Sequence, residues 1–204
     1  MSNTTTAIGF LKQHGFPTAP EEMARLIIER LTDAETLQSI REATDPDTLL
    51  LILECKGPEF YEHIIANKYC DNTILTRVWQ SKTPHDSSFG RNYLVEIVAH
   101  PNVSQELISE IEKECDDDGA DYDKIRFLIG LASNPSRTSD QLVGMWNALD
   151  SFSEEAGYFD YLEKFHLAII SNPSLTREDV LQIDVSKEDE QVLRAYAQRV
   201  VSKT

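Results

Sequence analysis

The chain has 204 residues, 41% of them hydrophobic and 26% charged, with a formal net charge of −16. That composition supports a real core and argues against wholesale disorder, and no apolar run approaches the roughly 20 residues that cross a bilayer as a helix. The acidic excess, −5 through residue 100 and −11 beyond it, disfavours direct contact with a phosphate backbone and favours a basic partner, unless it serves solubility alone.

The opening residues, Met1 to Ala7, lack the basic and apolar regions of a secretory signal, so a cytoplasmic location is expected. Cys55, Cys70 and Cys115 are odd in number and match no zinc spacing, which suits free thiols in a reducing compartment. Thr18 to Glu21 has the form of a capping box with a proline in the first turn, and predicts a helix to about Leu31. Thr32 and Glu35 form a second box, opening a helix to near Ala43. Asp45-Pro46 starts a third helix that runs to Lys56 and stops at Gly57. These elements make an N-terminal section, residues 1–57.

From Pro58 onward four segments align, centred on Asn67, His100, Asn134 and Asn172. Their spacings are 33, 34 and 38 residues, the length of a helical hairpin. Pro101, Pro135 and Pro173 follow three of the four anchors and stop the preceding helix. The anchor asparagines suit left-handed geometry and local hydrogen bonds. Asp71, Ser104, Thr138 and Thr176, four residues past the anchors, are N-caps for the next helix. Cys70, Val103 and Leu175 are placed to staple onto Leu75, Ile108 and Val180, and Arg137 breaks this pattern in the third segment. Apolar positions recur at helical offsets: Phe60, Tyr93, Phe127 and Phe165 before the anchors, then Leu75/Val78, Ile108/Ile111, Leu142/Met145 and Val180/Ile183 after them. Residues 58–184 thus form four hairpins. Ser186 to Asp189 opens a last helix over Lys187 to Val201, a solvated cap within residues 186–204. Longer connections fall at residues 81–90, 116–121 and 150–157. No linker divides the chain, so residues 1–204 are expected to form a single all-α domain, an α-α superhelix.

The turns Leu131-Ala-Ser-Asn-Pro-Ser136 and Ile169-Ile-Ser-Asn-Pro-Ser174, with the hairpin period, resemble those of armadillo/HEAT-type α-solenoids. They are most similar to bacterial variant leucine-rich repeats, over residues 58 to 184, although the period here is longer and less regular. The resemblance implies a superhelical binding surface and supplies no catalytic residues.

The acidic stretch Glu110 to Asp123 starts like a calcium loop, but that register puts Ile125 where a bidentate Glu is needed. It is expected as a solvated loop, with an acidic partner-binding loop as the alternative. None of His14, His63, His85, His100 and His166 is paired at metal-ligand spacing. Nucleophile elbows and phosphate loops are absent, so no catalysis, metal or cofactor is expected. Trp79 and Trp146 both lie twelve residues past their anchors, where Glu112 and Asp184 stand in the other hairpins. Each ring can anchor an interface or pack between helices, and both readings stay open here. In solenoids of this type the second helix of each hairpin commonly lines the concave face. That nominates Arg77, Trp79, Glu106, Ser109, Glu112, Asp140, Val143, Trp146, Asn147, Glu178 and Gln182 as partner-binding. The expected function is occlusion of a basic protein, as an inhibitor, immunity or anti-defence protein would act. The alternative is an enzyme on an armadillo-like scaffold, such as a DNA-repair glycosylase, whose basic groove is hard to build from 19 scattered cations.

Overall fold

In the computed structural model, residue 15 and residues 19–81, 89–117, 121–148, 159–186 and 188–201 are described. Every regular element among them is helical, so the protein is all-α, and no helix there is long and apolar enough to cross a membrane. The chain divides into two units, Met1–Ile74 and Leu75–Thr204.

In the first unit, α1 (Pro20–Arg30) has its proline in the first turn, as expected. Its N-cap is Ala19, which makes no side-chain bond, and Thr18 lies outside the described residues. Helix α2 (Asp33–Glu42) starts on the anticipated capping box: Glu35 N–H donates to Thr32 Oγ1 at 3.4 Å and Thr32 N–H donates to Glu35 Oε2 at 2.8 Å. Asp45 caps α3 (Pro46–Cys55) by accepting from Thr48 N–H at 2.8 Å. A 3-10 turn over Pro58–Phe60 leads into α4 (Tyr61–Ile65), and α5 (Asn72–Trp79) begins after Asp71, which accepts from Ile74 N–H at 3.0 Å. Helix α1 packs on α3, and α2 packs on α3 and α4. Ile40, Leu49, Ile52 and Ile64 are fully buried and form the centre of this packing. Lys56 Nζ reaches the end of α1 and donates to Leu31 O at 2.7 Å and Glu29 O at 3.2 Å, covering carbonyls that have no partner within the helix.

In the second unit a 3-10 segment, Phe89–Tyr93, precedes α6 (Leu94–Ala99), followed by α7 (Gln105–Asp117), α8 (Asp121–Ser133), α9 (Ser139–Ala148), α10 (Phe159–Ser171), α11 (Arg177–Val180) and α12 (Glu190–Val201). Ser104, Thr138 and Thr176 cap α7, α9 and α11 by accepting from Leu107, Gln141 and Asp179 N–H at 3.2, 3.3 and 3.2 Å. Helix α6 packs on α8, α8 on α10, and α10 on α12. Gly130 permits the first of these approaches, because a Cβ there would sit 2.8 Å from Val98 Cβ and 3.0 Å from Val95 O. Leu142, Phe165, Ile169, Ile170, Val180 and Val192 belong to one continuous core.

The anchor residues stitch this packing together. Asn134 and Asn172 are each only 2% exposed. Asn134 Nδ2 donates to Val98 O at 2.8 Å and His100 O at 3.2 Å. Asn172 Nδ2 donates to Ala132 O at 2.7 Å and Asn134 O at 2.9 Å. Each Oδ1 accepts from a local N–H, Ser136 at 2.8 Å and Ser174 at 2.9 Å. The serines of the two Asn-Pro-Ser turns add a parallel link: Ser136 Oγ donates to Pro101 O at 3.3 Å, and Ser174 Oγ donates to Pro135 O at 2.7 Å. The same arrangement occurs in the first unit, where Asn67 Nδ2 donates to Ile40 O at 2.6 Å and Ala43 O at 3.2 Å. The anchors thus do more than end a helix. Each of the three asparagines carries its amide to backbone carbonyls 24 to 40 residues earlier and satisfies groups that would otherwise be buried without partners.

Helix α12 starts later than expected, at Glu190, because Asp189 rather than Ser186 is its cap; Asp189 Oδ1 accepts from Gln191 N–H at 3.0 Å and Val192 N–H at 3.2 Å. The helix is not merely a solvated cover. Arg199 Nη2 donates to Leu175 O at 2.7 Å and Asn172 O at 3.1 Å, so a guanidinium completes the row in place of a further asparagine.

Candidate functional site

All eleven nominated residues lie in the second unit or on the part of α5 that belongs to it. They do not form the aromatic-dotted surface expected of them. Trp79 is 6% exposed and Trp146 is 7% exposed, so neither ring is available as an interface anchor. Trp146 belongs to the core and stacks on the His166 ring at 4.2 Å. Val143 is half-buried against the same core. The remaining eight, Arg77, Glu106, Ser109, Glu112, Asp140, Asn147, Glu178 and Gln182, are exposed. They sit on α5, α7, α9 and α11 or, for Gln182, just past α11. Glu106, Ser109 and Glu112 recur every three residues along α7, which keeps them on neighbouring parts of its outer surface.

Local structure sets the charge on this surface. Hydrogen bonds from its own backbone N–H and from the Ser104 hydroxyl hold the Glu106 carboxyl below the ordinary carboxylate range. Asp179, beside Glu178, is also lowered, first by the Ser139 hydroxyl and then by the Thr176 hydroxyl. Arg137 is half-buried, and desolvation lowers its pKa while the Glu112 charge opposes that shift. The unit as a whole contains 13 Lys and Arg against 23 Asp and Glu, a net of −10.

The described residues of the acidic stretch are helical, with Asp116 and Asp117 ending α7 and Asp121 starting α8, and the middle of the expected loop, residues 118–120, lies outside the described residues. Within the stretch, Glu114, Asp116 and Asp123 have partners. Lys124 Nζ lies 2.8 Å from Asp116 Oδ1, while Asp123 faces Arg126 at 3.2 Å and Arg91 at 3.5 Å. Arg126 also donates to Arg91 O at 2.9 Å and Asn92 O at 3.2 Å, which fixes the segment before α6. These side chains hold the helices together and are not a free acidic patch. The connections at 82–88 and 149–158 lie outside the described residues.

Among the histidines, His100 is a buried turn residue whose Nδ1 accepts from Asn102 N–H at 3.1 Å. His166 Nδ1 lies 2.7 Å from Glu188 Oε2 and ties α10 to the segment before α12. None of the three cysteines is in a disulfide, and burial raises the Cys70 thiol to about 12 and that of Cys115 to about 11. Among the described residues no group of three or more His, Cys, Asp or Glu is placed to hold a metal ion.

No family model matches the chain, and neither the curated proteins nor the solved structures yield a significant match.

Proposed function

We propose that the second unit is a protein-binding module of the α-solenoid kind, which presents exposed carboxylates on α7, α9 and α11 to a basic protein and blocks it by occupying its surface. The observation that carries this is the exposure of Glu106, Glu112, Asp140 and Glu178 on alternate helices of a unit with net charge −10. Their backing favours it as well. Each bears on an element whose start is capped and whose neighbours are joined by buried asparagine amides, so the carboxylates are displayed on a surface that loses little entropy on binding. Charges on such a face act chiefly on encounter rate and partner choice. With both tryptophans buried, the contact relies on ion pairs and on small apolar patches such as Leu181, which is 56% exposed. Three cysteines outside any disulfide suit action in the cytoplasm.

The test is capture of partners from host lysate, followed by affinity measurement with the purified partner. Replacing Glu106, Glu112 and Asp140 together by lysine is expected to weaken binding at least tenfold and to flatten its salt dependence. A partner that binds this variant with unchanged affinity would remove the surface from consideration.

A further inference from the structure

We propose that a cleft in the first unit, unrelated to the acidic surface, binds an organic anion with an apolar body. The cleft holds about 580 Å³, within the range of small-molecule sites. Leu37 and Ala66 give it apolar sides over a floor of buried Ile40 and Ala43, and Arg41, His63 and Lys68 line it on the polar side. No Asp or Glu lines it among the described residues, in a chain that carries 35 of them. A concave site with cationic side chains and no carboxylate stands out against that background.

The helix ends that border the cleft oppose a negative headgroup, and one side chain reduces that cost. The end of α2 would ordinarily turn unpartnered carbonyls toward this space and repel an anion. Asn67 Nδ2 occupies two of them, Ile40 O and Ala43 O, and Asn67 Oδ1 is engaged by Tyr69 N–H at 2.8 Å. Among the described residues neither the Arg41 guanidinium nor the His63 ring has a hydrogen-bond or ion-pair partner, so each keeps its donors for a ligand. Tyr69 is 37% exposed, and Lys68 Nζ lies over its ring at 4.9 Å from the centre, which holds the positive charge beside the cleft. A carboxylate, sulfonate or phosphate attached to an aromatic or aliphatic body matches this arrangement; a bare inorganic ion would leave the walls unused.

The full chain is titrated with 1-anilinonaphthalene-8-sulfonate, followed by its fluorescence, and separately with the uncharged N-phenyl-1-naphthylamine. Saturable one-to-one binding of the sulfonate is expected, weakening as salt rises. The Arg41→Gln/Lys68→Gln variant is expected to lose at least tenfold in sulfonate affinity while its response to the amine is unchanged. Ala66→Trp, which fills the cleft and leaves the charges in place, is expected to abolish binding of both. Circular dichroism of each variant checks that the helices are retained. Absence of saturable sulfonate binding, equal affinity for the amine, or undiminished sulfonate binding by either variant overturns the proposal.

Discussion

Asn172→Ala removes one side chain that serves three backbone groups. Ala132 O and Asn134 O lose their donor, and Ser174 N–H loses its acceptor. The site is 2% exposed, so water does not replace the amide without rearrangement of the turn. At about 1 kcal/mol net for each bond, and more for a buried group left unpaired, the expected loss is about 3 kcal/mol. That is a large share of the roughly 5–15 kcal/mol that holds a domain folded. In urea, with a slope of about 2 kcal/mol/M, the unfolding midpoint should fall by about 1.5 M at unchanged slope. Far-UV circular dichroism follows the helices, and Trp146 fluorescence follows the core of the same unit. Asn172→Asp is the sharper variant: it keeps the oxygen facing Ser174 but turns a carboxylate toward two carbonyls, and it should be worse than alanine. Asn147→Ala, at an exposed position on α9, is the control and should change stability by less than about 0.5 kcal/mol. If Asn172→Ala matches that control, the amide is not holding the turns and the account of the packing fails.

Gly130→Ala should destabilise by about 1–3 kcal/mol despite the better helix propensity of alanine, because its Cβ would press on Val98 and on the α6 backbone. Adding Val98→Ala should recover part of that loss in a double-mutant cycle, and strict additivity would count against the close approach. Asp179 has a lowered pKa, so its contribution is present above the unfolded carboxylate value of about 3.9 and is lost as pH falls through the folded value. Asp179→Asn should therefore be less stable than the parent at pH 7 and converge with it as pH falls below the lowered folded value; a constant gap across pH would show that the charge is irrelevant. The buried thiols of Cys70 and Cys115 should resist iodoacetamide at pH 8 in the folded chain while half-buried Cys55 reacts first, and labelling of Cys70 at the rate of a free thiol would contradict its burial.

Features that act over three or four residues could be read from the sequence. The caps at Thr32, Asp45, Asp71, Ser104, Thr138 and Thr176 all form their bonds, since a cap and its target are near neighbours in the chain. Aligning the anchors located Asn67, Asn134 and Asn172, but a local reading credited them with turn geometry. Their long-range donation depends on which earlier turn each one faces, and pattern alone does not specify that. The two tryptophans show the same gap. Glu112 and Asp184 at the equivalent positions are exposed, whereas Trp79 and Trp146 are buried, so burial there follows from the neighbours of each helix and not from the offset. The stretch around Asp116 to Asp123 had a loop-like composition, yet its described residues are helical, and Asp116 and Asp123 pair with Lys124, Arg126 and Arg91. Arg199 gave no signal, because a guanidinium in the role of the anchor amide has no counterpart in the aligned segments. The cleft beside Asn67 was equally silent: Arg41, His63 and Lys68 come from separate segments and meet only in the fold.

The central claim is that buried asparagine amides join successive turns and hold the outer helices in position. The most direct test is side-chain amide exchange in D2O, followed in ¹⁵N-resolved spectra of the intact chain. The NH2 groups of Asn134 and Asn172 are expected to persist long after that of exposed Asn147 has gone. Loss of all three at the same fast rate would contradict the claim, because an amide that donates two buried hydrogen bonds cannot exchange like one in water.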